Sequence, residues 1–143
     1  MRTTVLASLS LLSATSVQAA WQEAKSKHFT IYADEEAVEL RTFAERLERF
    51  DKAVRVFRQM DDPALSDANR LTIFVLNNVQ TISRLVGDSA AAGLYQSRAG
   101  GSFAFVPRTA GDRHDPSDLH PEQIFFHEYA HHIQLQSSAA LPT

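Results

Sequence analysis

The apolar and polar positions of this chain change period along its length, and the changes predict a succession of strands and helices. Residues 27 to 33 include His28-Phe29-Thr30-Ile31-Tyr32, a strand-forming run that ends at Asp34. From residue 35 to residue 60, apolar side chains recur at steps of three and four, which predicts a long helix capped by Asp34. Its apolar stripe consists of Leu40, Phe43, Ala44, Leu47, Phe50, Val54 and Phe57.

The other side of this long helix carries pairs of opposite charge four residues apart. Such pairs lie next to each other on a helix and are typical of a solvated face. The pairs are Glu45 with Arg49, Glu48 with Lys52, and Asp51 with Arg55. His28, at the start of the first strand, is interpreted as a surface or edge residue.

The run Leu71-Thr72-Ile73-Phe74-Val75-Leu76 is short, apolar and rich in β-branched residues. It predicts a central strand that is covered on both faces. Asn78 then suits the N-cap of a short helix over residues 79 to 86, and Gly87 suits its C-terminal stop. The order of strand, long helix, strand and short helix predicts an α/β arrangement of layers.

Two further strand-forming runs, residues 93 to 97 and 102 to 106, flank the glycine pair Gly100-Gly101 and predict an antiparallel hairpin. Pro107 follows at once and favours a position at the edge of the sheet. Since an edge strand offers unpaired backbone groups to an extended peptide, Phe103, Ala104 and Phe105 are candidate substrate-binding residues. A hairpin that only closes the sheet is the alternative.

A final helix is predicted from Pro121, which suits a first helical position, and it contains His127-Glu128-Tyr129-Ala130-His131. Residues four apart share one face of a helix, so the two imidazoles can bind one metal ion. Glu128 lies about 100° around the axis and can reach a water in an open coordination position. The motif predicts a zinc site with His127 and His131 as ligands and Glu128 as general base. A buried helix whose histidines only form hydrogen bonds is the alternative.

The other histidines near the motif are weaker candidates for metal ligands. His114 and His120 lie in a polar loop over residues 108 to 120, and a helical His120 would be about 10 Å from His127 along the axis. That distance is too long for a shared ion, since ligands lie about 2 Å from zinc. His132 points about 100° away from His131 and is predicted to be a packing or second-shell group.

Composition and the N-terminal residues bear on location and partners. Residues 1 to 19 have a basic start at Arg2, a short apolar run and a small-residue ending, as in a secretory signal peptide. Without Arg2 the net charge changes from −3 to −4, which gives no support for nucleic-acid binding. No later run approaches the roughly 20 apolar residues of a membrane span, and the chain has no cysteine. We expect export to the periplasm or outside, with residues 20 to 143 forming one domain.

The five-residue motif resembles the active-site helix of zincin metallopeptidases of the gluzincin branch. The preceding elements are similar to the N-terminal subdomain of that fold, a mixed sheet with an edge hairpin packed on a long helix and on the motif helix. In related exported proteins, a Leu-Pro-x-Trp segment and a helix bearing Glu-Gly-x-Ala-Glu follow, and the first Glu of that helix is the third zinc ligand. Leu141-Pro142-Thr143 looks like the start of that segment.

The resemblance implies zinc-dependent hydrolysis of a peptide or protein, with the third ligand expected just after Thr143. The chain is then expected to be part of a longer enzyme. The alternative is a catalytically inactive zincin-like domain that binds a peptide or protein partner.

Overall fold

A mixed sheet of five strands and three α-helices make up the fold, in a computed structural model that describes residues 21–62, 64–109 and 121–138. The predicted mixed α/β class is therefore confirmed. The strands are β1 (Gln22–Lys25), β2 (Phe29–Ala33), β3 (Leu71–Asn78), β4 (Leu94–Gln96) and β5 (Phe103–Thr109). The helices are α1 (Ala37–Phe57), α2 (Val79–Val86) and α3 (Pro121–Ser138).

The order of strands across the sheet is β1-β2-β3-β5-β4. The three central strands, β2, β3 and β5, are parallel, whereas β1 and β4 are antiparallel to their neighbours. Helix α1 connects β2 to β3, as parallel neighbours require a crossover. The predicted hairpin of β4 and β5 is confirmed, but its edge strand is β4.

The edge position predicted for Phe103, Ala104 and Phe105 is therefore wrong. These residues pair with β3 on one side and with β4 on the other, so a substrate strand cannot be added to them. The short run Leu94–Gln96 takes the edge of the sheet instead.

The sheet buries mainly one of its faces. Along β3, buried and half-buried residues alternate, so the predicted coverage of both faces is wrong. Ile73 is 0% exposed and belongs to the core, whereas Phe74 points to the opposite face, where its ring lies beside Tyr32 and Phe105. This alternation is that of a sheet with helices on one side.

Helices α1 and α3 pack side by side on the buried face. The rings of Phe50 on α1 and Phe126 on α3 are stacked with centroids 3.8 Å apart. Phe125 and Tyr129, both 1% exposed, point from α3 into the core and contact Phe29 of β2. Aromatic packing of this kind accounts for the position of α3 over the sheet.

Of the helix caps predicted from the sequence, those of α2 are confirmed and that of α1 is wrong. Helix α2 begins and ends where predicted, with the Asn78 side chain accepting from the Thr81 N–H and with Gly87 at φ 77°. The cap predicted at Asp34 is wrong, because the N-cap of α1 is Glu36 and its side chain forms no cap hydrogen bond. Strand β1 was not predicted.

Some predictions fall outside the described residues. They are the signal peptide over residues 1 to 19, the greater part of the polar loop with His114 and His120, and residues 139 to 143.

Asn78→Ala tests the cap of α2. The Asn78 side-chain oxygen accepts from both the backbone N–H and the hydroxyl of Thr81, each at 2.9 Å. We expect the free energy of unfolding, measured in urea, to fall by about 1 kcal/mol. Asn77→Ala, at the neighbouring exposed residue, is the control and should change the free energy of unfolding by less than about 0.5 kcal/mol. Equal effects of the two substitutions would contradict the cap.

Candidate metal and catalytic site

His127 and His131 lie one turn apart on the outer side of α3, and both are exposed. Their rings converge, with the two Nε2 atoms 3.2 Å apart. Two nitrogen ligands of a tetrahedral zinc, each about 2.0–2.1 Å from the ion, are separated by about 3.3 Å. The pair therefore fits two adjacent positions of a tetrahedral zinc site.

The pair has no third candidate ligand within the described part of the chain. A metal-ligating group of three found there lies elsewhere, around His28. A catalytic zinc usually takes three protein ligands and one water, so the described residues supply two of three.

Glu128 projects from α3 toward the edge of the sheet and is half-buried. A methyl group at Gly93 would lie only 3.0 Å from its Oε1 atom and 2.7 Å from Ile124 Cγ2, so the helix and the start of β4 are in close approach. The backbone of Tyr95 lies close enough to the Glu128 carboxylate to lower its pKa. The carboxylate is thus held beside the edge strand.

Burial raises the pKa of Glu128 above its ordinary value, although the charges of His127 and His131 and the nearby backbone of Tyr95 act in the opposite direction. A carboxylate whose pKa lies closer to neutrality is a better proton acceptor and donor for catalysis. Glu128 is therefore a candidate general base.

The opposite, buried side of α3 is tied to α1 by an ionic network. The Tyr129 hydroxyl donates to Asp51 Oδ1, and Arg55 Nε donates to both oxygens of Asp51 at 2.8 and 2.9 Å. Asp51 is 1% exposed and Arg55 is 5% exposed. The prediction that this charge pair belongs to a solvated face is therefore wrong. Burial and the hydrogen bond to Asp51 raise the pKa of Tyr129 well above its usual range.

The network continues to His28, which is buried and not the surface residue that the sequence indicated. Its Nδ1 atom lies 2.7 Å from Glu48 Oε2 and 3.3 Å from Asp51 Oδ2, and its Nε2 atom lies 2.8 Å from Asp62 Oδ1. His28, Asp51 and Asp62 could hold a metal ion, since their ligand atoms lie within 4.8 Å of one another. Each is also engaged by hydrogen bonds within the protein.

His132 is buried on the side of α3 that faces β4, which confirms the predicted packing role. Its Nδ1 atom lies 3.1 Å from the Tyr95 hydroxyl. Burial, together with the nearby charge of Arg55, lowers the pKa of His132 to about 4. The ring is therefore neutral at physiological pH.

Sequence reasoning missed the His28 group, the buried Asp51–Arg55 pair and the close approach at Gly93. One signal for the ion pair was present in the spacing, because the buried residues of α1 recur at steps of three and four. They are Leu40, Ala44, Leu47, Asp51 and Arg55. The two charged residues continue the apolar stripe at the end of the helix, where a charge needs a buried partner.

Comparison with protein-family models, with curated proteins and with solved structures gave no match for this chain. Across residues 21–62, 64–109 and 121–138, no helix has both the length and the apolar character needed to cross a membrane.

Gly93→Ala tests the close approach of β4 and α3. The new methyl group would lie 2.7 Å from Ile124 Cγ2, so side chains or backbone must shift. We expect the free energy of unfolding in urea to fall by about 1–3 kcal/mol. Gly100→Ala is the matched control, because a methyl group there meets nothing within 4 Å. A variant as stable as wild type would show that the two elements are not in contact at Gly93.

The pH dependence of stability tests the burial of His132. Since its pKa is about 4 when folded and ordinarily 6.5, the unfolded chain takes up a proton first as the pH falls. Stability from this group is complete above pH 6.5 and decreases toward pH 4, by about 3 kcal/mol at about 1.4 kcal/mol per pH unit. In His132→Asn, the free energy of unfolding in urea, measured between pH 6.5 and pH 4, should lack this pH-dependent decrease. Parallel curves for the two proteins would contradict the assignment.

Proposed function

We propose that this chain carries the zinc-binding and general-base residues of an exported metallopeptidase of the zincin type. The observation that carries the proposal is the convergence of His127 and His131, with Nε2 atoms 3.2 Å apart, beside a half-buried Glu128. The pattern of two histidines and an intervening glutamate on one helix is the arrangement of a zinc hydrolase.

Zinc suits this donor set better than calcium or magnesium do. Imidazole nitrogens suit zinc, copper, iron and nickel, whereas calcium and magnesium prefer oxygen ligands. Two ligands alone hold a metal weakly, so a third is needed for a tight site. By the resemblance of the motif to gluzincins, the third ligand is a glutamate from a segment after Thr143. The His28 group is dominated by carboxylates and is already neutralised by protein cations, which makes it the poorer zinc site.

The proposed reaction is hydrolysis of a peptide bond. Zinc, when bound, would supply a water of lowered pKa and polarise the scissile carbonyl. Glu128 takes the proton of the attacking water and then gives it to the nitrogen of the leaving amine. Its half-buried position supports this role, because burial raises the pKa of the carboxylate toward the range in which it both accepts and releases a proton.

Strand β4 is the proposed site at which an extended substrate is aligned. It forms one edge of the sheet and contains Tyr95, whose backbone lies close enough to Glu128 to lower the pKa of its carboxylate. A peptide added to this edge would run beside the general base. The same edge also supports the second candidate function, a zincin-like domain that binds an extended peptide or a protein without cleaving it.

Metal content and peptidase activity of three variants test the proposal. We expect zinc to bind the wild-type chain and to be lost from His131→Ala. Glu128→Gln should keep its zinc but lose activity by a factor of about 10² to 10⁴. Glu122→Gln, a second carboxylate of α3 whose ion pair with Arg46 is largely exposed, is the control and should behave as wild type.

Both the zinc and the activity measurements use the gene product together with any residues encoded after Thr143, because His127 and His131 alone would hold a metal weakly. Absence of zinc from the wild-type protein would refute the site. Full activity in Glu128→Gln would remove Glu128 from the mechanism. Zinc binding that depends on His131, without hydrolysis of any peptide, would favour the peptide-binding alternative.

A further inference from the structure

Helix α3 is apolar on most of its sides, so hydrophobic packing fixes its rotation about its own axis only weakly. The core-facing residues of α3 are Ile124, Phe125, Tyr129, His132 and Ile133. A turn of the helix by one residue, about 100°, would present Phe125, Phe126, Ala130, Ile133 and Gln134 instead. Each set has four apolar or aromatic residues and one polar residue. The same turn would point His127 and His131 toward α1, where Phe126 now stacks on Phe50.

A directional contact distinguishes the two rotations. The Tyr129 hydroxyl donates to Asp51, and both side chains are 1% exposed. In the turned helix, Asp51 would face Ala130 and would lose a hydrogen bond that water cannot replace at this depth. A buried polar contact of this kind selects one arrangement among several that pack equally well.

Asp51 is itself held in place, which makes it a suitable reference point. Arg55 Nε contacts both of its oxygens, and Arg55 Nη1 donates to the carbonyl of Asp61 at 2.9 Å. His28 Nδ1, just before β2, lies 3.3 Å from Asp51 Oδ2. The acceptor is thus fixed to both α1 and the sheet.

We infer that Tyr129, through its hydroxyl contact with Asp51, is a positioning residue that sets the rotation of α3 and thereby the outward direction of His127 and His131. Tyr129 stands directly after Glu128 and two residues before His131, so a rigid helix transmits its position to all three. The significance of this inference for catalysis rests on the proposed function, but the rotation itself can be measured without it.

Tyr129→Phe removes only the hydroxyl and keeps the ring, which stacks on Phe125 with centroids 5.6 Å apart. Tyr32→Phe is the matched control, because the Tyr32 hydroxyl donates to an exposed carboxylate, that of Glu23. Circular dichroism should show that both variants keep the fold.

Pulsed electron paramagnetic resonance on the full chain measures the rotation. A copper(II) chelate binds two histidines spaced by four residues on a helix, and Lys25→Cys provides a nitroxide site on β1, in a chain without any other cysteine. Strand β1 lies three strands from β5, or about 15 Å across the sheet. His127→Ala should remove the copper signal and so assign it to the pair.

We expect a narrow distribution of copper-to-nitroxide distances in wild type and in Tyr32→Phe. In Tyr129→Phe the mean should shift, or the distribution broaden, by about 2 Å or more, since a group about 6 Å from the axis moves that far when a helix turns by about 20°. A distribution identical to that of wild type would overturn the inference.

Zinc affinity gives an independent reading. If the proposed function holds, zinc should bind Tyr129→Phe about tenfold more weakly than it binds Tyr32→Phe, both measured in the gene product with any residues encoded after Thr143. Failure of the wild-type chain to bind zinc, together with a shifted copper distance in Tyr129→Phe, would refute the proposed function and support the positioning role. Normal zinc binding with an unchanged copper-to-nitroxide distance in Tyr129→Phe would support the proposed function and refute the positioning role.

Discussion

A carboxylate that is 1% exposed, that of Asp51, is the group around which the two main helices and the first parallel strand are assembled. A charge at that depth is strongly destabilising unless it is paired and hydrogen-bonded. Its partners come from three parts of the chain: Arg55 from α1, Tyr129 from α3 and His28 from the residue just before β2. The aromatic rings of α3 exclude water from this network, so its hydrogen bonds and its hydrophobic surroundings depend on each other.

This network also explains why the two clusters of metal-ligating side chains differ. Around His28, the carboxylates already form ion pairs with Arg55 and Lys27 and contact the imidazole ring. A metal ion would therefore have to displace existing partners. At the outer side of α3, His127 and His131 contact each other and are exposed, so a metal ion meets two imidazoles that it need not free from carboxylates. The existing ion pairs thus favour a structural role for the first cluster, whereas the second is accessible to a metal ion.

The sequence predicts the elements whose signals are local and misses the features that depend on pairing between distant segments. Asn78 and Gly87 define α2 because a cap and a left-handed stop act within one turn of chain. The order of the strands is not local, and so the edge position was assigned to Phe103, Ala104 and Phe105 when β4 takes it. A pair such as Asp51 and Arg55 has the same spacing on a solvated helix as on a buried one. Only the partners Tyr129 and His28, far away in sequence, show that the pair is buried.

The position of β4 bears most directly on the choice between an enzyme and a peptide-binding domain. The motif helix α3 packs on both strands of the hairpin, and β4 is the one at the edge of the sheet. With β4 there, the backbone of Tyr95 lies close to the carboxylate of Glu128, and the absence of a side chain at Gly93 lets the helix approach the strand. A domain that only binds an extended peptide needs a free edge but no carboxylate of raised pKa beside it. An edge strand, a half-buried glutamate and two converging imidazoles lie together in the described residues, and under the proposed function this combination suits a peptide hydrolase better than a domain that only binds.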